Sequence, residues 1–173
     1  MEFQFNEADM EQGDLLASTE DQPGYTGILL AAGKGRRFDP AGIRNKLLQR
    51  LPGGDMVVLQ AAHNLQAAVG RTLVVVPAGS PMLAAQLSGQ GLAVTECGDA
   101  DTGMAASLMH GVRLTSNASG WVIALGDMPF VRPDTIRQLV AALAQGAGIA
   151  VPTYRGVRGN PVAFGRVHLE RLL

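Results

Sequence analysis

Apolar residues in this chain fall into two rhythms that alternate along its length. Ile28-Leu29-Leu30-Ala31-Ala32, Leu73-Val74-Val75-Val76, Leu92-Ala93-Val94 and Trp121-Val122-Ile123-Ala124-Leu125 are unbroken apolar runs, which read as strands buried on both faces. Between them the spacing becomes helical. Val58, Ala61, Ala62, Leu65, Ala68 and Val69 form one face, with Asp55 as N-cap and Gly70 as the stop, and His63 falls off that face into solvent. Met82–Leu87 predicts a second helix. Ala106, Leu108, Met109 and Val112 predict a third, capped by Thr102 or Asp101. Pro133 suits the first position of a fourth, whose Ile136, Leu139, Val140 and Leu143 face inward before Gly146 ends it.

Shorter pieces fill the gaps. Leu47–Leu51 reads as extended chain running into the turn Pro52-Gly53-Gly54, and Gly148–Pro152 as a fifth strand. Tyr154–Asn160 reads as a glycine-punctuated hairpin leading into Pro161–Phe164, and Val167–Leu173 as the start of another helix. Strands without polar alternation, regularly separated by helices, predict a three-layer α/β fold: a mostly parallel, Rossmann-like sheet with helices on both faces. Ligands of such sheets lie beyond the carboxyl ends of the strands. Three polar features fall there: the Gly33 loop, Pro77-Ala78-Gly79, and Asp127 directly after Leu125.

Charge sharpens this picture. Seven of the 15 acids (Glu2, Glu7, Asp9, Glu11, Asp14, Glu20 and Asp21) lie in residues 1–23 with no Lys or Arg, leaving eight against all 14 cations in the remainder. Residues 1–23 are expected to be a flexible acidic leader, the alternative being an arm packed through Phe3, Phe5, Leu15 and Leu16. Residues 24–173 are expected to form one domain, mildly basic as suits an anionic small molecule. Aromatics at 5% argue against stacked-base recognition of nucleic acid. One cysteine, Cys97, excludes an internal disulfide, and three scattered histidines (His63, His110 and His168) argue against zinc. Cys97 reads as a packed residue and His110 and His168 as structural or exposed. No apolar run reaches membrane-span length, so a soluble cytoplasmic protein is expected.

Both of the chain's lysines, Lys34 and Lys46, fall between Gly27 and Leu48, with Arg36, Arg37 and Arg44 against the single acid Asp39. Small residues at Gly33-Lys34-Gly35 let backbone N–H groups approach a polyphosphate closely. Two familiar glycine loops do not fit. A P-loop needs four residues between its glycines and a hydroxyl after the lysine, whereas five separate Gly27 from Gly33 and Gly35 follows Lys34. A dinucleotide fingerprint meets Phe38 where its third small residue belongs. The stretch Leu30-Ala31-Ala32-Gly33-Lys34-Gly35-Arg36-Arg37-Phe38, with Asn45-Lys46-Leu47-Leu48, resembles instead the nucleotidyltransferase signature L-A-A-G-x-G/S-x-R-F/M followed by a lysine before a leucine pair.

Three further motifs extend the resemblance across residues 27–165. Gly126-Asp127-Met128-Pro129 resembles the G-D-M/Q-P metal motif of the MobA-like nucleotidyltransferases. Thr102–Leu108 resembles the G-M-x-x-S-L element of the MocA branch, and Arg158-Gly159-Asn160-Pro161-Val162 that branch's R-G-H-P-V. The branch is molybdenum cofactor cytidylyltransferase-like, which implies CTP and molybdopterin as substrates, Mg²⁺ as cofactor, and a recipient molybdoenzyme or its chaperone as partner. It also implies roles. Leu30, Ala31, Ala32 and the amides of Gly33, Lys34 and Gly35 would cradle phosphates, and Arg36 or Arg37 would neutralise the leaving pyrophosphate. Lys46 would sit on the α-phosphate and Asp127 would hold Mg²⁺. Pro77, Ala78, Gly103 and Ser107 would meet base and ribose, and Arg158, Gly159, Asn160 and Pro161 the acceptor. Asp127 directly after an apolar strand and beside the Gly33 loop reads as a divalent-metal ligand from the residues alone, the bland alternative being a turn aspartate. For Ser107 the alternative is a hydroxyl bonding back to its own helix, and for Arg158 a surface residue.

Two departures qualify the match. Family members usually continue past residue 173 with a Gly-Asp segment and a last helix, which the sequence lacks. Asn160 stands where histidine is usual, and asparagine cannot become a cation. Three readings follow: cytidylyl transfer to molybdopterin; the same chemistry with another base or acceptor (guanylyl transfer, or a sugar or polyol phosphate); and nucleotide binding without catalysis.

Overall fold

The computed structural model describes residues 24–33 and 45–173. Its centre is strand β1 (Tyr25–Leu30), hydrogen-bonded on both edges to parallel neighbours: β2 (Arg71–Pro77) on one side and β4 (Gly120–Leu125) on the other. β3 (Ala93–Cys97) extends the sheet beyond β2. Beyond β4 lie β8 (Val162–Gly165) and β5 (Ile149–Ala150), giving the order β3-β2-β1-β4-β8-β5. β8 runs antiparallel to both its neighbours. A separate hairpin of β6 (Thr153–Tyr154) and β7 (Val157–Arg158) connects β5 to β8.

Helices cover both faces, as the unalternating apolar strands require. Helices α1 (Val57–Val69), α2 (Pro81–Ser88) and α4 (Pro133–Ala144) share one core with Leu29, Val74, Val76 and Val122. On the other face, α3 (Met104–Leu114) and α5 (Leu169–Leu172) pack with Ile28, Val75 and Trp121. Each fully buried side chain such as Leu65, Leu83 or Ile136 contributes roughly 1.5–3 kcal/mol of transfer free energy. Trp121 is buried and donates its indole N–H to the carbonyl and hydroxyl oxygens of Thr115 at 3.3 and 3.0 Å, so its polar atom costs nothing.

Two glycines set how closely helices approach β1. A Cβ on Gly27 would lie 2.7 Å from Leu65 Cγ of α1, and one on Gly111 of α3 would lie 2.8 Å from Ile28 Cγ2. α1 therefore sits down on β1 from one face and α3 from the other.

Several local expectations are corrected. Lys46–Leu48 forms a 3-10 turn rather than extended chain, because Asn45 Oδ1 accepts the Leu47 N–H at 2.9 Å and curls the backbone. Asp55 does not cap α1. Met56 holds that position, with no side-chain cap, and the Gln49 carbonyl accepts the Val57 N–H at 3.0 Å. Thr102 and Asp101 do not cap α3 either: the Thr102 hydroxyl donates to Asp99 O at 2.7 Å, and Gly103 is the cap residue. β3 lies later than Leu92–Val94, and only Ile149–Ala150 of the expected fifth strand pairs.

Candidate active site

The carboxyl ends of β1, β2 and β4 are joined by backbone bonds that fix where their loops begin. Ala31 N–H donates to Val75 O at 2.8 Å, and Gly126 N–H to Leu30 O at 2.9 Å. Ala31 and Ala32 are buried and Gly33 is exposed, with nothing among the described residues within 4 Å of where its Cβ would be. Gly126 is tighter: a Cβ there would meet Ala31 Cβ and Leu30 O at 3.3 Å. The two motifs are thus packed backbone to backbone. The first strand's loop emerges beside the fourth's.

Lys46 and Asp127 meet above this junction. Lys46 Nζ donates to Asp127 Oδ2 at 2.8 Å across 81 residues, and each side chain is 41% exposed. Lys46 is placed by the 3-10 turn that Asn45 nucleates, and Asp127 by a turn in which Met128 N–H donates to Leu125 O at 3.2 Å. A cleft of about 410 Å³ opens beside the pair, walled by Leu51, Val57 and the Met128–Phe130 segment. Asp127 offers one hard carboxylate, and among the described residues no group of three or more His, Cys, Asp or Glu gathers to hold a metal. That donor set fits a cation such as Mg²⁺, which takes one or two carboxylates and completes its shell with phosphate oxygens and water.

The expected base and ribose residues gather at the same edge. Pro77 ends β2, and Ala78 N–H donates to Cys97 O at 3.1 Å, tying that loop to the end of β3. Gly103 has φ 142° and ψ 173°, a conformation essentially reserved for glycine, and it starts α3 with no side-chain cap. α3 returns from β3 towards the start of β4, so its N-terminus, with unpaired N–H groups, lies at the carboxyl edge of the sheet. Ser107 is 1% exposed and its Oγ has no hydrogen-bond partner among the described residues. The back-bond to its own helix is therefore not made. Ser107 lies one turn from Gly111, on the face turned to β1 and β2.

Arg158, Gly159 and Asn160 are exposed and Pro161 is buried. Because β8 is antiparallel and Val162 pairs with Ile123, the segment just before it lies at the carboxyl end of β4, on the Asp127 side. Lys34, Gly35, Arg36 and Arg37 lie outside the described residues. His63 is exposed, His110 Nε2 hydrogen-bonds Thr95 Oγ1 at 2.8 Å, His168 packs edge-on against Phe164, and Cys97 is buried.

A family profile for the MobA-like NTP transferase domain matches residues 27–173. The chain belongs to this family. The MobA-like domain here is 37% identical over 145 residues to the bifunctional protein GlmU of Geobacter sulfurreducens, a match covering 81% of this chain and 29% of the relative. The chain thus spans less than a third of that protein's length. Among solved structures it resembles Rv0371c from Mycobacterium tuberculosis H37Rv, at TM-score 0.73 and 26% identity over 86% of this chain and 75% of that one. The same protein in complex with manganese aligns at TM-score 0.68, 25% identity and 86% and 74% coverage. A nucleotidyl transferase from Methanothermobacter thermautotroptrophicus, Mth528, aligns at TM-score 0.70, with 26% identity over 87% of this chain and 75% of that one. The family match and the solved nucleotidyl transferase agree with the expected MobA-like family and fold class.

One contributor was not legible in the sequence. Asn64 of α1 donates Nδ2–H to Pro129 O at 2.9 Å, reaching the Asp127 loop across 65 residues. In the sequence it is one polar residue beside an apolar helical face, and nothing local marks its partner. Among the described residues no helix is long and apolar enough to cross a membrane.

Proposed function

We propose that the chain is a Mg²⁺-dependent nucleotidyltransferase that moves CMP from CTP to the terminal phosphate of molybdopterin, releasing pyrophosphate. The observation that carries the reading is the 2.8 Å approach of Lys46 to Asp127, which unites two motifs distant in the chain at the carboxyl edge of the sheet. A phosphate oxygen of the acceptor attacks the α-phosphorus. The bond from that phosphorus to the bridging oxygen breaks, and pyrophosphate leaves with the electron pair. The nucleophile is already anionic, so positioning and charge stabilisation do the catalytic work.

In this reading Lys46 leaves Asp127 for the α-phosphate, where charge develops. The Gly33–Gly35 amides and Arg36 or Arg37 receive the β- and γ-phosphates, an assignment that rests on the motif alone. Asp127 would hold Mg²⁺, which would supply positive charge against the charge developing on the transferred phosphates. The likeness to a protein solved with manganese supports a divalent cation at this carboxylate. Pro77, Ala78, Gly103 and Ser107 take base and ribose, Ser107 supplying a buried hydroxyl that lacks a partner among the described residues. Arg158, Gly159, Asn160 and Pro161 face the acceptor. Residues 24–173 act as the transferase domain and residues 1–23 as a leader.

A second reading keeps the chemistry and changes the acceptor to a sugar or polyol phosphate. Two observations favour it: curated relatives named bifunctional protein GlmU, and Asn160 in place of a histidine. Incubation with CTP, GTP or ATP, Mg²⁺ and each acceptor, followed by pyrophosphate measurement, separates the two. Release with CTP and molybdopterin alone supports the first reading, and release only with a sugar phosphate replaces it with the second. Tight CTP binding without turnover on any acceptor would defeat both.

A further inference from the structure

Asp127 is held from three sides, and one of them lies outside every motif. Before it, Gly126 N–H donates to Leu30 O at 2.9 Å, and beneath it Met128 N–H donates to Leu125 O at 3.2 Å. After it, Pro129 O accepts Asn64 Nδ2–H at 2.9 Å. Asn64 Oδ1 in turn accepts Gln60 Nε2–H at 2.9 Å, one helical turn away. With its oxygen occupied by Gln60, the amide presents its N–H₂ end to the proline carbonyl.

The helix carrying this donor is itself anchored. Leu65, next in the chain, is fully buried and packs over Gly27 of β1, and Arg137 Nη2 of α4 donates to Ala67 O at 3.1 Å. Asn64 therefore reaches the loop from a fixed base. The Pro129 carbonyl is two residues from Asp127, so a bond there limits how the Gly126–Phe130 turn can rotate.

We propose that Asn64 is a positioning residue, which fixes the Gly126–Phe130 loop and so aims the Asp127 carboxylate at the point it shares with Lys46. The proposal rests on the reading of Asp127 as the metal ligand. Asn64 touches neither nucleotide nor metal. Its described hydrogen bonds go to Gln60 and Pro129 and none to β2 or the start of α3, so the effect falls on metal use and turnover rather than on nucleotide affinity. Partners that orient a metal ligand are typically worth roughly 10–100-fold in metal affinity or activity.

The test compares Asn64→Ala and Asn64→Asp with wild type. The aspartate keeps the size and still accepts from Gln60 but cannot donate to Pro129. Gln60→Ala, which only frees the amide to turn, and His63→Ala, an exposed neighbour on the same helix, serve as comparison variants. Expected for both Asn64 variants is a rise of about 10-fold or more in the Mg²⁺ concentration giving half-maximal rate, with KM for CTP within about twofold of wild type. Gln60→Ala shifts the same way by less, and His63→Ala does not shift. Half-saturation by Mg²⁺ unchanged in both Asn64 variants would overturn the proposal, since a merely structural residue would lower Tm and leave that constant alone.

Amide hydrogen exchange across residues 126–131, measured on the full chain, judges the same point without turnover. Loss of the Asn64 bond should speed exchange there roughly 3- to 10-fold, the worth of one hydrogen bond. Unchanged exchange overturns the proposal. If wild type releases no pyrophosphate with any nucleotide and acceptor, the functional reading fails, and exchange alone then decides whether Asn64 holds the loop.

Discussion

Lys46 Nζ and Asp127 Oδ2 stand 2.8 Å apart although 81 residues separate them in the chain. Both side chains are 41% exposed, and a solvent-exposed ion pair contributes only about 0–1 kcal/mol to stability. The pair is therefore poorly explained as a structural brace. It is better explained as two charges held ready for a ligand that will separate them.

Lys46→Ala and Asp127→Ala should each lower kcat by about 10²-fold or more while moving Tm by no more than about 4 °C. The double variant should be little worse than either single one, because the two residues act on one transition state. Steady-state pyrophosphate release and a thermal melt check this together. Wild-type turnover in either single variant would remove the pair from the mechanism.

Ser107→Ala should separate binding from folding. Among the described residues this buried hydroxyl has no partner, a state that costs roughly 1–3 kcal/mol, so its removal should leave Tm unchanged or raise it. KM for CTP should nevertheless rise about 2- to 12-fold, the loss of one hydrogen bond to the bound nucleotide. Calorimetric titration with CTP reads the second effect directly. Equal affinity in the variant and wild type would return Ser107 to the core.

Gly103→Ala should weaken the start of α3. At φ 142° and ψ 173° an alanine costs about 1–3 kcal/mol of backbone strain, which the helix can relieve only by moving its first turn. Tm should fall and CTP affinity with it, whereas a Gly33→Ala variant should leave Tm unchanged, because its φ lies outside the left-handed range and nothing among the described residues stands within 4 Å of its added Cβ. Equal Tm in the two variants would contradict the difference in backbone geometry.

Gly27→Ala tests the seat of α1. The new methyl would lie 2.7 Å from Leu65 Cγ, an overpacking that costs about 1–3 kcal/mol, or roughly 5 °C in Tm. In a Leu65→Ala background the same glycine change should cost little more, since Cγ, Cδ1 and Cδ2, the three atoms the methyl would meet, are then gone. A double variant that melts as far below Leu65→Ala as Gly27→Ala melts below wild type would show that the contact does not limit the approach of α1 to β1.

The sheet and most helices were legible because their signal is local and repeated: apolar runs such as Val74-Val75-Val76 for strands, and recurrence every three or four residues such as Ala61, Leu65 and Ala68 for α1. Helix starts were less legible. Asp55 and Thr102 have the right chemistry for caps, but their neighbourhoods gave the work to the Gln49 carbonyl and to Gly103. The lysine and aspartate of the site were readable as motif members. That they touch was not, because the contact depends on β1 and β4 pairing side by side. Asn64 was invisible for the same reason: a single polar residue on a helix says nothing about a carbonyl 65 positions away.

The β6–β7 hairpin pairs only with itself and stands outside the six-stranded sheet. β8, which follows it, has its register set independently by four pairings with β4 and two with β5. Residues 153–160 can therefore be lengthened, shortened or exchanged without unzipping the sheet or moving Asp127. The fold is modular at this one edge. If Arg158, Gly159 and Asn160 face the acceptor as proposed, hairpins grafted between Pro152 and Pro161 would vary the acceptor while leaving Lys46 and Asp127 in place.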